Sequence, residues 1–350
     1  MLAVAILATC LDARAVSNAR AVAETLPSRL SDEQFWQIVT GFSERPGSFP
    51  SDNLLSNERS LQDVIPDLIK AAKPDGVYVG VGPEQNFTYI VALKPKMAFI
   101  VDIRRGNFDL HLMYKALFEL SADRAEFLSR LFSKKRPVGL SASSTVAELF
   151  DAYATVETTE AAYVENVRAV VNHLVKTHGF ALSADDMLRL QRTCRAFYTY
   201  GPDIQYSSTR GSGRRDEPTY RDLMLAADGM GREHSYLATE EAFAFMKRFE
   251  TDNLLVPLIG NFAGPKALRA VGEYLTDKGA TVSAFYVSNV EEYLRRDGTW
   301  KNFCSNVARF PIDETSTFVR SVRGDAPVPG FRLQSELAFI ATDVKSCDPN

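Results

Sequence analysis

Apolar and polar positions along this chain fall into blocks of two kinds. Residues 76–82 (GVYVGVG), 97–103 (MAFIVDI), 253–260 (NLLVPLIG) and 280–288 (ATVSAFYVS) are short, nearly continuous apolar runs. Runs of that length predict strands buried on both faces, as in a parallel sheet covered by helices. Elsewhere apolar residues recur every three or four positions, the period of an amphipathic helix. One such pattern runs from Leu110 through Met113, Tyr114, Leu117, Leu120 and Leu128 to Leu131, with Asn107 expected as its cap. From 136 to 252 the helical period dominates, in segments 145–154, 157–178, 184–197 and 240–250. Residues 315–322 and 337–341 regain strand character and predict a terminal antiparallel hairpin.

This succession predicts an α/β fold: a doubly wound, mostly parallel, Rossmann-like sheet with a helical insertion and a C-terminal antiparallel hairpin. The expected boundaries are 1–15, a signal-like segment; 16–60, an N-terminal helix and ordered loop; 61–135, the first part of the sheet domain; 136–252, the insertion; and 253–345, its second part. The N-terminal segment pairs a ten-residue apolar run (LAVAILATCL) with Ala13-Arg14-Ala15, a cleavage-like pattern, although no basic residue precedes the run. It favours export to the periplasm or beyond over a cytoplasmic location. Ten residues are far short of the roughly 20 needed to span a bilayer, so no membrane span is expected.

Composition narrows the function. A formal net charge of −4 lacks the basic footprint of a nucleic-acid binder. The four cysteines lie far apart, which argues against a disulfide framework or a structural zinc site. No metal centre is expected either. His173 and His178 are five apart and so do not share a helical face as i,i+4 ligands would, and His111 reads as solvated or capping.

In an open α/β sheet, ligands bind at the carboxyl ends of the strands. Gly80 and Gly82 end the first strand and permit a tight turn with close backbone approach to a ligand. Asp102 ends the second, twenty residues beyond Gly82, where it can accept from both hydroxyls of a ribose. The dinucleotide fingerprint is incomplete, because position 85 is Gln85 rather than glycine. Glu84, at the helix start, would repel a pyrophosphate and tolerate a cationic ligand. The combination therefore selects against NAD and nucleotides and favours a phosphate-free nucleoside such as S-adenosylmethionine.

The segments VYVGVGPEQN and FIVDIRR resemble the corresponding motifs of class I S-adenosylmethionine-dependent methyltransferase folds. Together with NLLVPLIGNFAGPKALRAVGEYL and ATVSAFYVSNVEEYL, they are similar to a family of uncharacterised bacterial proteins with that fold. The resemblance implies Gly80 and Gly82 at the methionine moiety and Asp102 at the ribose, with Glu84 and Asn86 completing the cofactor set. Asn261 and Tyr286 are the candidate catalytic residues at later strand ends. Asn53, Arg104 and Asn289 are the candidate acceptor contacts, and residues 51–58 a loop able to fold over the pocket. The expectation is methyl transfer to a small-molecule acceptor. The alternative is a non-catalytic binding or sensing protein on the same fold, which export would favour.

Overall fold

The computed structural model describes residues 25–207, 217–323 and 333–346. The signal-like segment and the Arg210–Arg215 loop lie outside them. In chain order the elements are α1 (Asp32–Phe42), α2 (Ile65–Ala71), β1 (Val77–Gly80), α3 (Gln85–Leu93), β2 (Met97–Asp102), α4 (Arg105–Leu120) and α5 (Arg124–Phe132). Then come α6 (Val146–Ala154), α7 (Glu160–Asn172), a π-helical turn (His173–Thr177), α8 (Ala184–Tyr200), α9 (Tyr220–Met224) and α10 (Glu240–Thr251). The chain returns to the sheet with β3 (Leu255–Ile259), α11 (Ala267–Asp277), β4 (Val282–Ser288), α12 (Val290–Arg296), α13 (Trp300–Val307), β5 (Thr317–Arg323), β6 (Leu333–Phe339) and α14 (Ile340–Ser346).

The strands form one six-stranded sheet in the order β3-β2-β1-β4-β5-β6. Every pairing is parallel except β5 with β6, whose antiparallel register runs from Thr317 opposite Phe339 to Arg323 opposite Leu333. Strands β1, β2 and β3, cut from the continuous apolar runs, are buried along their whole length. Edge strand β6 instead alternates between half-buried and exposed positions, because only one of its faces meets the core. Helix α4 packs across β2 and β3, α11 on β2, and α12 on β4.

Local chemistry explains the helix starts. Ser31 and Thr145 each form a reciprocal capping box, with Gln34 and Glu148. Asn107 is not a cap: α4 begins at Arg105, and Asn107 is buried within it. The helices between β2 and β3 are knitted together by aromatic rings. Phe87 of α3 meets His111, Tyr114, Phe118 and Tyr236 edge-on, with centroids 5.1–5.6 Å apart. Each such pair contributes about 0.5–1.5 kcal/mol beyond its buried area. Among the described residues no helix is long and apolar enough to cross a membrane. Despite the scattered cysteines, Cys304 is disulfide-bonded.

Candidate functional site

The sheet order reverses direction between β1 and β4, and a cavity of about 300 Å³ opens there at the carboxyl ends of the strands. That volume is at the lower end of the usual range for small-molecule sites, about 300–1,000 Å³. Its walls come from the turn after β1 (Val81, Gly82, Gln85), the ends of β2 and β3 (Asp102, Asn261), the end of β4 (Tyr286, Ser288) and α12. The segment preceding α2 closes one side through Phe49, Asn53, Leu55 and Glu58. Two other depressions, of about 460 and 820 Å³, lie away from the strand ends.

The turn after β1 is built by Asn86. Its Oδ1 accepts from the Tyr78 hydroxyl at 2.8 Å, and its Nδ2 donates to the carbonyls of Val81, Gly82 and Pro83. Gly80 is required for this arrangement, since a Cβ there would stand 2.0 Å from Asn86 Oδ1. Gly82 adopts φ +78°, which an L side chain rarely takes. His111 secures the turn from below: it is buried and its Nε2 lies 2.9 Å from the Gly82 carbonyl. Burial pushes its pKa down to about 4, so the imidazole is neutral and donates from Nε2. The sequence expectation of a solvated or capping His111 is thereby corrected.

Glu84 also departs from expectation. It is fully buried, and its Oε1 accepts from the Ser56 N–H at 3.2 Å, joining the turn to the covering segment. Burial raises its pKa to about 8, the Ser56 hydrogen bond opposing. At neutral pH it is therefore largely protonated, and repulsion by a Glu84 carboxylate does not exclude phosphate. The described lining holds two guanidinium groups, each beside an acid: Arg104 with Asp102, and Arg296 with Asp297. Glu58 is the lining carboxylate left over.

Asp102 lines the cavity, but its carboxylate is engaged. Oδ1 accepts from the Arg104 backbone N–H (2.8 Å) and Nε (3.1 Å), and Oδ2 from Nη2 (2.9 Å). A carboxylate offers about four lone-pair positions, so one remains, enough for one ribose hydroxyl rather than two. Arg104 in turn donates to the Asp52 carbonyl and to Asn107 Oδ1. Its guanidinium thus holds the covering segment against β2.

Glu58 carried no distinguishing signal in the sequence, being one acid at the end of an Asn- and Ser-rich loop. It is 2% exposed, and its Oε1 accepts from the Tyr286 hydroxyl (2.7 Å) and from Ser288 Oγ (2.5 Å). Its Oε2 is buried and has no hydrogen-bond partner among the described residues, as is true of Asn53 Oδ1 and Gln85 Oε1. Orphaned buried acceptors are rare in folded proteins, and three line this one cavity. Two of the same wall residues, Asn53 and Ser288, hold left-handed backbone at φ +47° and +50°. For residues other than glycine such strain clusters at functional sites.

Of the residues singled out from sequence, Gly82, Asp102, Arg104, Asn53, Asn261, Tyr286 and Asn289 line the cavity, while Gly80, Glu84 and Asn86 support the turn from behind. Tyr286 is buried, and its pKa lies well above the ordinary tyrosine value, through burial first and the Glu58 charge second. It is a donor to Glu58 and not a base. Asn261 Oδ1 accepts from the Ala263 N–H in a local turn, leaving its amide nitrogen to offer a ligand. Asn289 occupies the N-cap position of α12 without a side-chain cap bond. No curated protein matches the chain. A family model described as "Domain of unknown function (DUF7790)" matches residues 54–340, from the covering segment to the end of the last strand, and the chain belongs to that family.

Proposed function

We propose that the cavity binds S-adenosylmethionine, or a nucleoside of the same phosphate-free and cationic kind, on a doubly wound methyltransferase-like sheet, and that the protein transfers its methyl group to a small acceptor. The observation that carries this reading is Glu58: a buried carboxylate of a cavity-lining residue, fixed at Oε1 by Tyr286 and Ser288, with Oε2 unpartnered among the described residues. Such a group favours a cationic ligand, and a phosphate would meet no uncompensated cation among the described lining residues. Gln85 Oε1 and Asn53 Oδ1 are acceptors that an ammonium or ribose hydroxyl would satisfy. Asp102 has one lone-pair position left for the ribose.

Bound there, the cofactor supplies an electrophilic methyl group. The chain's own part is positioning and proton transfer. In the transfer that such a methyl donor would support, Glu58 would be the residue that accepts the acceptor's proton. Asn261 orients the acceptor through its amide.

A second reading, binding without transfer, draws support from Asp102, whose pairing with Arg104 limits its hold on a ribose. Calorimetry on the full chain separates the two. Micromolar binding of S-adenosylmethionine and of its demethylated product, with none of NAD, is expected. Product formation with candidate amines and phenols distinguishes transfer from binding. Failure of both nucleosides to bind would overturn the assignment.

A further inference from the structure

At the far end of α4 from the cavity, three side chains from two segments converge. Glu119 lies in the last turn of α4, His173 opens the π-helical turn that follows α7, and His178 comes directly after that turn. Helical i+4 spacing would not bring these histidines together. The π turn does, through its wider backbone bond from the His178 N–H to the His173 carbonyl (3.1 Å). Their Nε2 atoms then lie 2.5 and 2.6 Å from one atom, Glu119 Oε2, and the three donor atoms are within 4.8 Å of one another.

We infer that Glu119, His173 and His178 form a binding site for a divalent first-row transition-metal ion of the zinc or cobalt kind. Two imidazoles and one carboxylate are a donor set for such ions, whereas magnesium and calcium prefer all-oxygen sites. Each donor sits about 2.0–2.2 Å from a zinc ion. Tetrahedral donors are therefore roughly 3.4 Å apart, so entry of the ion requires the nitrogens and Oε2 to separate by about 1 Å.

The surroundings support the assignment. His178 Nδ1 lies 2.7 Å from Asp32 Oδ1, the carboxylate–imidazole contact that orients a metal-bound histidine and fixes its tautomer. Asp32 is itself held by Asn253 Nδ2 at 3.0 Å. Lys115 Nζ lies 2.8 Å from Glu119 Oε1 as an ion pair, while both imidazoles approach Oε2. Around the two histidines, Asp32 and Glu119 are the acids in contact and Lys115 the lysine. Glu250, packed behind Lys115, is raised to about 8 by burial and is largely neutral.

His173 and His178 retain 17% and 9% side-chain exposure, enough for an ion and its remaining water ligands to enter. The sixteen residues of α4, at about 1.5 Å each, place this site some 20 Å from the cavity. The ion's role is therefore to clamp α1, α4 and the π turn together, and it takes no part in chemistry at the strand ends.

The test uses tag-free full-length protein, stripped with a chelator and titrated with Zn(II), Co(II) and Mg(II). One equivalent of zinc or cobalt is expected to bind, with a rise in Tm of about 5 °C and visible Co(II) d–d absorption, while magnesium does neither. His173→Ala and Glu119→Gln should each weaken binding at least 100-fold, and Asp32→Asn by about 10- to 100-fold. Because His173 contacts Glu119 from a partly exposed position, its variant is expected to fold, as far-UV circular dichroism would verify. Absence of cobalt absorption in the unmodified protein, or equal binding by the His173 and Glu119 variants, would overturn the inference.

Discussion

At the N-terminal end of α4, Arg104 and Asp102 neutralise one another beside a cavity at which three buried acceptors lack donors among the described residues. At its C-terminal end, Glu119 gathers Lys115, His173 and His178 onto two oxygens. One end has unmet acceptors and the other has crowded ligands, and the two call for different partners. Unpartnered oxygens in a cleft of about 300 Å³ are satisfied by a molecule that brings its own donors. Two imidazole nitrogens converging on one oxygen are satisfied by an ion that they share.

The contrast can be broken first at the cavity. Glu58→Gln keeps the shape and removes the proton acceptor. It should cut methyl transfer by about 10²–10⁴ in kcat, measured as release of the demethylated cofactor. The Co(II) spectrum should not change. A variant with full turnover would remove Glu58 from the chemistry.

Next in size is Asp102→Asn, which leaves the Arg104 guanidinium buried without its carboxylate. Breaking a buried pair in this way costs about 3–5 kcal/mol. Urea denaturation should show that loss, together with freer proteolysis of the segment that Arg104 ties down through Asp52. Unchanged stability would mean that Arg104 has other sufficient partners.

The smallest effect is on pH dependence. Burial raises the folded pKa of Glu84 and of Glu250 to about 8, against 4.5 for a free glutamate. The fold therefore holds protons that the unfolded chain releases, and this stabilisation is full below about 4.5 and lost as pH rises through 8. His111 works in the opposite sense, but only between its folded value of about 4 and the free value of 6.5. In the window from 6.5 to 8 the two glutamates act unopposed by it, so stability should fall with rising pH. The change is on the order of 1 kcal/mol per glutamate. Glu84→Gln should flatten the slope measured by urea unfolding at pH 6.5 and 8, and an unaltered slope would refute the assignment to Glu84.

Much of the framework was legible. The burial of β2 on both faces follows from its unbroken apolar run, and the starts of α1 and α6 from Ser31 and Thr145 with their partners three residues on. The glycine turn and the covering loop were also visible, because glycine and clustered Asn, Ser and Pro act through local backbone preference. Charge states were not. Glu84 read as a charged group at the helix start and His111 as solvated or capping, but packing removed water from both, and desolvation then moved each pKa toward the neutral form.

Periodicity is a local property, set by how successive side chains point from a helix or strand, so the sequence alone determined the alternation of elements and the strand ends where a ligand belongs. Pairing is not local. Glu58 meets Tyr286 across 228 positions, and Glu119 meets His173 across 54. Even Arg104, two residues from Asp102, turned back onto it only because the covering segment and α4 leave its guanidinium no solvent to face. Tertiary structure alone decided which polar groups would be satisfied within the chain and which were left to something it binds, since burial is what makes an unmatched hydrogen bond costly.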